Sequence, residues 1–146
     1  MRKVIILLVT LLALPSIIWA ADPIIGTWIF NKEKPNKSFH EETQIYKEVG
    51  KDKIELTRFG IYEEGDKFSE KYTYPRQGGV VDFEGAKVGV ELLIKPGEWY
   101  YVNRDEGNWG TIHRIISEDG KTMYFTLTRF DSQGNMEVGN VVFDKK

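Results

Sequence analysis

Ser117-Glu118-Asp119-Gly120-Lys121-Thr122-Met123-Tyr124-Phe125-Thr126-Leu127-Thr128-Arg129-Phe130-Asp131-Ser132-Gln133-Gly134-Asn135 is the stretch that decides the fold. It carries a turn signal at each end and a β-prone run between them. In an extended chain, Met123, Phe125, Leu127 and Arg129 share one face, and Tyr124, Thr126, Thr128 and Phe130 share the other. The segment before it behaves alike. Trp109, Thr111, His113 and Ile115 oppose Ile112, Arg114 and Ile116. Neither strand has a wholly polar face, so both faces are partly covered or one lines a mixed interior.

The same alternation of turns and β-prone runs extends toward the N-terminus. Turn signals recur at Val49-Gly50-Lys51-Asp52, Glu63-Glu64-Gly65-Asp66, Gln77-Gly78-Gly79, Lys95-Pro96-Gly97 and Asp105-Glu106-Gly107-Asn108. Between them lie segments rich in Val, Ile, Thr, Tyr, Phe and Trp, the pattern of successive antiparallel hairpins. The expected strands are 24–30, 42–49, 53–62, 67–75, 79–84, 87–94, 98–104, 109–117, 121–130 and 136–143. Residues 31–41 form the only long connection, with room for one helical turn or a lid. No internal repeat, linker or low-complexity run interrupts the series. So many strands joined by short turns must resolve their exposed edges. An all-β, antiparallel up-and-down β-barrel does so by closure. A two-sheet sandwich is the alternative. The pattern argues against an outer-membrane barrel, because its lipid face needs an apolar band about 25 Å tall and charges fall inside most of these strands.

The N-terminus reads as an export signal. Arg2 and Lys3 form a basic start, and Val4 to Leu14 is apolar except for Thr10. Pro15 and Ser16 break the run, and Ala20 or Ala21 supplies the small residue for cleavage. A cut after Ala20, with Ile18 at the −3 position, divides the chain into a signal peptide, 1–20, and one barrel domain, 21–146. A retained anchor is the rival, but the run is short for a span of about 20 apolar residues. The mature domain is thus expected to hold no integral membrane span. The chain has no cysteine, which excludes a cysteine-anchored lipoprotein and a disulfide framework. An exported chain without disulfides points to a bacterial periplasm or medium. In that setting Asn36-Lys37-Ser38 is a chance match to the glycosylation pattern.

Without Arg2 and Lys3 the chain has 18 basic and 22 acidic residues, a formal charge of −4. The charges are mixed along its length, which argues against a nucleic-acid partner, since that needs a clustered basic face. The composition, 41% hydrophobic and 13% aromatic, supplies a core for one domain of this size.

A family resemblance starts at Ile25-Gly26-Thr27-Trp28, continues through Asn31 and Lys34, and reaches Ser38-Phe39. It returns in Ser117 to Met123 and in Asp131 to Asn135, with Gly60 to Lys67 and Tyr72-Thr73-Tyr74 compatible between them. These segments resemble small exported bacterial lipocalin-like proteins. The resemblance implies a lipocalin-like barrel of about eight to ten strands. It covers about half of the mature chain and consists mainly of turn residues, so it speaks to shape more than to activity. In lipocalins the tryptophan of Gly-x-Trp plugs the closed end of the barrel and a late-strand arginine packs over it. The resemblance gives Trp28 the first role and makes Arg129 the candidate for the second.

A barrel of this size can enclose one small ligand between apolar walls and a few polar anchors. Wall candidates are Trp99, Tyr101, Trp109, Tyr72, Tyr74, Phe125 and Leu127, each of which equally suits plain core packing. Arg58, Arg114 and Arg129 sit in mid-strand. Inside a barrel, a guanidinium could grip a ligand carboxylate bidentately, with Tyr72 or Tyr101 assisting, as in intracellular fatty-acid carriers of related shape. On the outer face, the same arginines would pair with cross-strand carboxylates such as Glu55 or Glu137.

Catalytic signals are weak. Thiol chemistry is absent, and Ser38, Ser69, Ser117 and Ser132 lack an elbow motif. Glu63-Glu64 suits a solvated turn. A His40, Glu42 and His113 metal site can be drawn, but no ligand spacing supports it. The expectation is therefore a barrel without metal or cofactor that binds a small, partly apolar or amphipathic ligand without catalysis. Its anchor is Arg114 or Arg129, with Arg58 as a further candidate and Tyr101, Trp99 and Tyr72 beside them. The rival expectation is a solid barrel acting as a protein-interaction or inhibitor module through loops 31–41 and 76–87.

Overall fold

The computed structural model describes residues 22–33, 39–81, 88–105 and 108–146; the expected signal peptide lies outside them. Ten strands follow one another: β1 (Gly26–Phe30), β2 (Phe39–Val49), β3 (Lys53–Tyr62), β4 (Lys67–Pro75), β5 (Gly79–Val81), β6 (Val88–Lys95), β7 (Glu98–Asp105), β8 (Asn108–Ile116), β9 (Thr122–Phe130) and β10 (Met136–Lys145). All pairings are antiparallel, and the strand order is β4-β3-β2-β1-β10-β9-β8-β7-β6-β5. Pairing of β1 with β10, from Trp28 opposite Lys145 to Phe30 opposite Phe143, curls this meander into a nearly closed barrel. Among the described residues, no ladder joins β4 to β5, and there is no helix.

The turns work as their sequences direct. Gly50, Gly65, Gly97, Gly120 and Gly134 all have positive φ, which glycine adopts without strain. The side-chain alternation then puts one face of each strand inside. Trp28, Tyr46, Ile54, Trp99, Ile116, Met123 and Phe143 are buried. Most lie toward the end that carries the β2–β3, β4–β5, β6–β7 and β8–β9 turns, and they fill it solidly.

The first strand is shorter than its sequence suggested, and the fifth can be compared only in part. The first begins at Gly26 rather than residue 24, because Asp22 to Ile25 forms a turn, with the Ile25 N–H donating to the Asp22 carbonyl at 2.9 Å. That turn tucks Ile24, 0% exposed, into the closed end. The fifth strand is described over three residues, and 82–87 lie outside the described residues.

Gly60 shows how tightly neighbouring strands approach. The β2–β3 register shifts between Phe39 and Glu41, and a Cβ on Gly60 would stand 2.0 Å from the Glu41 carbonyl oxygen. Gly60→Ala is expected to lower stability by about 1–3 kcal/mol, the usual cost of forcing atoms into packed space. Urea denaturation checks this; an unchanged midpoint would show that the irregular pairing yields freely.

Candidate functional site

The opposite half of the barrel is hollow. A cavity of about 620 Å³ reaches from the middle of the interior to the end where Tyr62, Asn108, Trp109 and Met136 stand. Its wall is mixed. Leu56, Ile112, Phe125 and Leu127 supply apolar surface; Tyr62, Tyr72 and Tyr101 supply rings with hydroxyls; Arg58, Glu70, Asn103 and Thr128 supply polar atoms.

Its floor is a hydrogen-bonded relay of buried polar side chains. Glu91 on β6 accepts from Arg114 on β8. Arg114 also donates to the Tyr46 hydroxyl on β2 at 3.1 Å. Tyr46 donates to Gln44 Oε1 at 2.7 Å, and Gln44 Nε2 donates to Glu42 Oε1 at 2.8 Å. Arg58 Nε on β3 donates to the same Glu42 oxygen at 2.9 Å and reaches Glu70 on β4 at 3.2 Å. The Tyr72 hydroxyl donates to Glu70. Two residues apart on a strand means the same face, so Glu42, Gln44 and Tyr46 all point inward. The relay thus runs across the interior between the two unpaired edges of the sheet, β4 and the β5–β6 side.

Such groups are tolerated inside because most of their polar atoms satisfy one another, although Glu42 Oε2 and Arg114 Nε are left without a hydrogen-bond partner. Burial opposes the charge on Arg114, but the Tyr46 and Tyr74 hydroxyls beside it more than offset that and hold its proton. At Arg58, burial is likewise outweighed by Glu42 and Glu70. Burial pushes the Glu42 carboxyl up, against the opposing pull of Arg58 and Gln44.

These shifts set a pH profile. A carboxyl with a raised folded-state value binds its proton more tightly folded than unfolded. Its stabilising contribution is complete below the ordinary carboxylate range and is lost as pH rises through the raised value. Glu42 behaves so, as does Asp22, where burial is again the main cause. Asp119 and Asp131 are lowered, by the Ser117 hydroxyl and the Asn135 side chain respectively. Their contributions are lost as pH falls through those lowered values. Stability is therefore expected to rise on leaving strong acid, crest near the ordinary carboxylate range and decline toward neutrality. Glu42→Gln should shrink the difference in urea midpoint between about pH 5 and about pH 7.5. An undiminished difference would show that Glu42 is not its source.

The residues singled out in the sequence are distributed unevenly. Arg58, Tyr72, Tyr101, Arg114 and Arg129 all border the cavity, as do Tyr74, Trp109, Phe125 and Leu127. Trp99 does not: it is 0% exposed in the solid end, below the cavity floor. Arg114 is 3% exposed and engaged by Glu91. Arg129 stands exposed toward the mouth, opposite Glu137 across the β9–β10 pair. Arg58 does not pair with Glu55 on the outside; Glu55 takes Lys71 at 2.8 Å.

The cation over Trp28 is Lys145, with its Nζ 5.0 Å from the ring centroid, and not Arg129. Lys145 lies directly opposite Trp28 in the β1–β10 register, while Arg129 is near the far end of β9. His113 lies on the outer face, stacked on Tyr100 at 4.1 Å and bonded to Glu98 at 3.0 Å. It therefore cannot share a metal with the inward-facing Glu42; the His40 side chain is outside the described residues. Among the described residues, no three His, Asp or Glu side chains are grouped to hold a metal ion.

Sequence reasoning missed Gln44, Glu70 and Glu91, and named Glu42 only in the metal site drawn with His40 and His113. Glu42-x-Gln44-x-Tyr46 was readable as one polar face, and Glu91 stands alone among apolar residues in Val88 to Ile94.

No protein-family model matches the chain, and no curated protein is similar to it in sequence. Solved structures are similar in fold. A point variant of the fluorescent protein UnaG superposes with a TM-score of 0.61 at 14% identity, covering 87% of this chain and 99% of that one. Wild-type UnaG gives 0.56 at 15% identity, covering 84% and 97%. The S-type phycobiliprotein lyase CPES from Guillardia theta gives 0.59 at 9% identity, covering 85% and 88%. Identities this low establish a shared lipocalin-like kind of fold and nothing more specific.

Proposed function

We propose that this protein is an exported carrier that binds one small, partly apolar molecule inside its barrel, without catalysis. The observation that carries this reading is the cavity of about 620 Å³ with its mixed wall, within the size range typical of ligand sites, about 300–1,000 Å³. Arg58, Tyr72 and Tyr101 stand where the polar atoms of a ligand would reach, Arg114 lies at the floor and Arg129 at the rim. A solid barrel serving as a protein-interaction or inhibitor module fits less well, since only the closed half is solid. Export rests on Arg2 to Ala20 of the sequence, and the resemblance to small exported lipocalin-like proteins supports it. A periplasmic or secreted bacterial protein is the setting that follows.

Native mass spectrometry of the protein from the cells that make it tests both parts. The expected result is a chain lacking residues 1–20 together with a bound molecule of defined mass. A bare chain with a stoichiometric protein partner would favour the interaction module instead. A second check fills the hollow. Ile112→Trp or Leu127→Trp should weaken binding of Nile red, a neutral apolar dye, at least about tenfold with circular dichroism unchanged. Undiminished binding in both variants would place the dye outside the barrel.

A further inference from the structure

We propose that the cavity selects a molecule whose polar end carries N–H or O–H donors and no negative charge, with Glu42 and Glu70 as its acceptors. This rests on the carrier reading and adds the ligand's chemical class.

The first observation is the balance of charge. Among the described residues, the charged side chains bordering the cavity are Glu42, Glu70, Glu91, Asp131 and Glu137 against Arg58, Arg114 and Arg129. The acids are in excess, and both deep guanidiniums are already matched. Arg114 and Glu91 form a pair whose side chains are 4% and 3% exposed. Arg58 is shared by Glu42 and Glu70. A ligand carboxylate would therefore find each deep guanidinium beside a resident carboxylate, and would add to an excess of like charge. Like charges brought together away from water repel strongly.

The second observation is an acceptor without a donor. Glu42 is 2% exposed and borders the cavity, and its Oε2 has no hydrogen-bond partner. A buried acceptor of this kind is normally satisfied; the Glu42 side chain is 0% exposed, so a ligand N–H or O–H would satisfy it by displacing the side chains that cover it. Glu70, with its side chain 26% exposed on the same wall, adds a second carboxylate on which a ligand donor can converge. Nε of Arg114 also lacks a partner. Its charge is balanced by Glu91, so a carbonyl or hydroxyl is enough for it. The apolar body of the ligand would lie along Leu56, Ile112, Phe125 and Leu127.

The test compares three probes with one tail, below their micelle-forming concentrations: dodecylammonium, dodecanamide and dodecanoate. Titration calorimetry near neutral pH reads the affinities. The expected result is that the ammonium and the amide bind at least about tenfold more tightly than the carboxylate, a difference of about 1.4 kcal/mol. In Glu42→Gln or Glu70→Gln, confirmed as folded by circular dichroism, the ratio should contract toward one. Dodecanoate binding as tightly as the ammonium and amide would overturn the donor assignment while leaving the carrier reading intact. An unchanged ratio in both variants would overturn the role given to the two glutamates. Failure of all three probes to bind the wild-type protein would count against the carrier reading itself.

Discussion

Glu91→Ala should lower the stability of the protein by about 3–5 kcal/mol, the usual cost of stranding a buried charge. Glu91 and Arg114 are 2% and 3% exposed, and they close one end of the buried relay. Without the carboxylate, the described partners left to the guanidinium are neutral: the Tyr46 hydroxyl at 3.1 Å, Tyr74, and the Tyr46 and Phe125 rings. It cannot shed its proton to escape, since arginine stays protonated in proteins. Replacing both partners, Glu91→Ala with Arg114→Met, should recover most of the loss, because an apolar pair leaves no charge behind. Urea denaturation of the two single variants and the double one measures the coupling directly. A cost below about 1 kcal/mol for Glu91→Ala would mean that water entering through the cavity solvates Arg114.

Trp28→Ala should be comparably damaging, at about 3–5 kcal/mol. The indole is 0% exposed in the solid end. Its N–H donates to the Ile24 carbonyl at 2.7 Å, and Lys145 lies over its face. Truncation leaves a void, removes the indole bond to the Asp22–Ile25 turn and leaves Lys145 with the Pro23 carbonyl at 3.0 Å but without the ring. Trp28→Phe keeps most of the volume and loses mainly the hydrogen bond, so it should cost nearer 1 kcal/mol. Equal losses in the two variants would show that the bond to Ile24, rather than the bulk, is what holds this end closed.

How much of this was legible depends on the range of the interaction. Strand positions follow from local alternation and from glycines in turns, so Lys53–Tyr62 and Lys67–Pro75 match their expected limits. The burial of Trp28 was legible through the lipocalin-like opening. Its covering cation was not, because the choice of Lys145 over Arg129 depends on which residue of β10 stands opposite Trp28. Trp99 looked like a wall residue because its face was right. Its height in the barrel, beside the Pro96–Gly97 turn, puts it in the solid end. The relay was the least legible feature. Arg114 and Tyr46 are 68 positions apart, and no local pattern says that an inward glutamate on β6 meets an inward arginine on β8. A lone glutamate in an apolar strand was the available hint.

The unpaired side of the barrel also separates two orders that usually coincide. β1 lies between β2 and β10, so the first and last strands are interior members of the sheet. Among the described residues its two unpaired margins belong instead to mid-chain, to β4 and β5, which are linked covalently through Arg76, Gln77 and Gly78. A circular permutant that begins at Gly79, ends at Pro75 and joins Lys146 to Asp22 by a linker would therefore keep every backbone ladder described here. In that molecule the termini of the polypeptide would become the margins of the sheet.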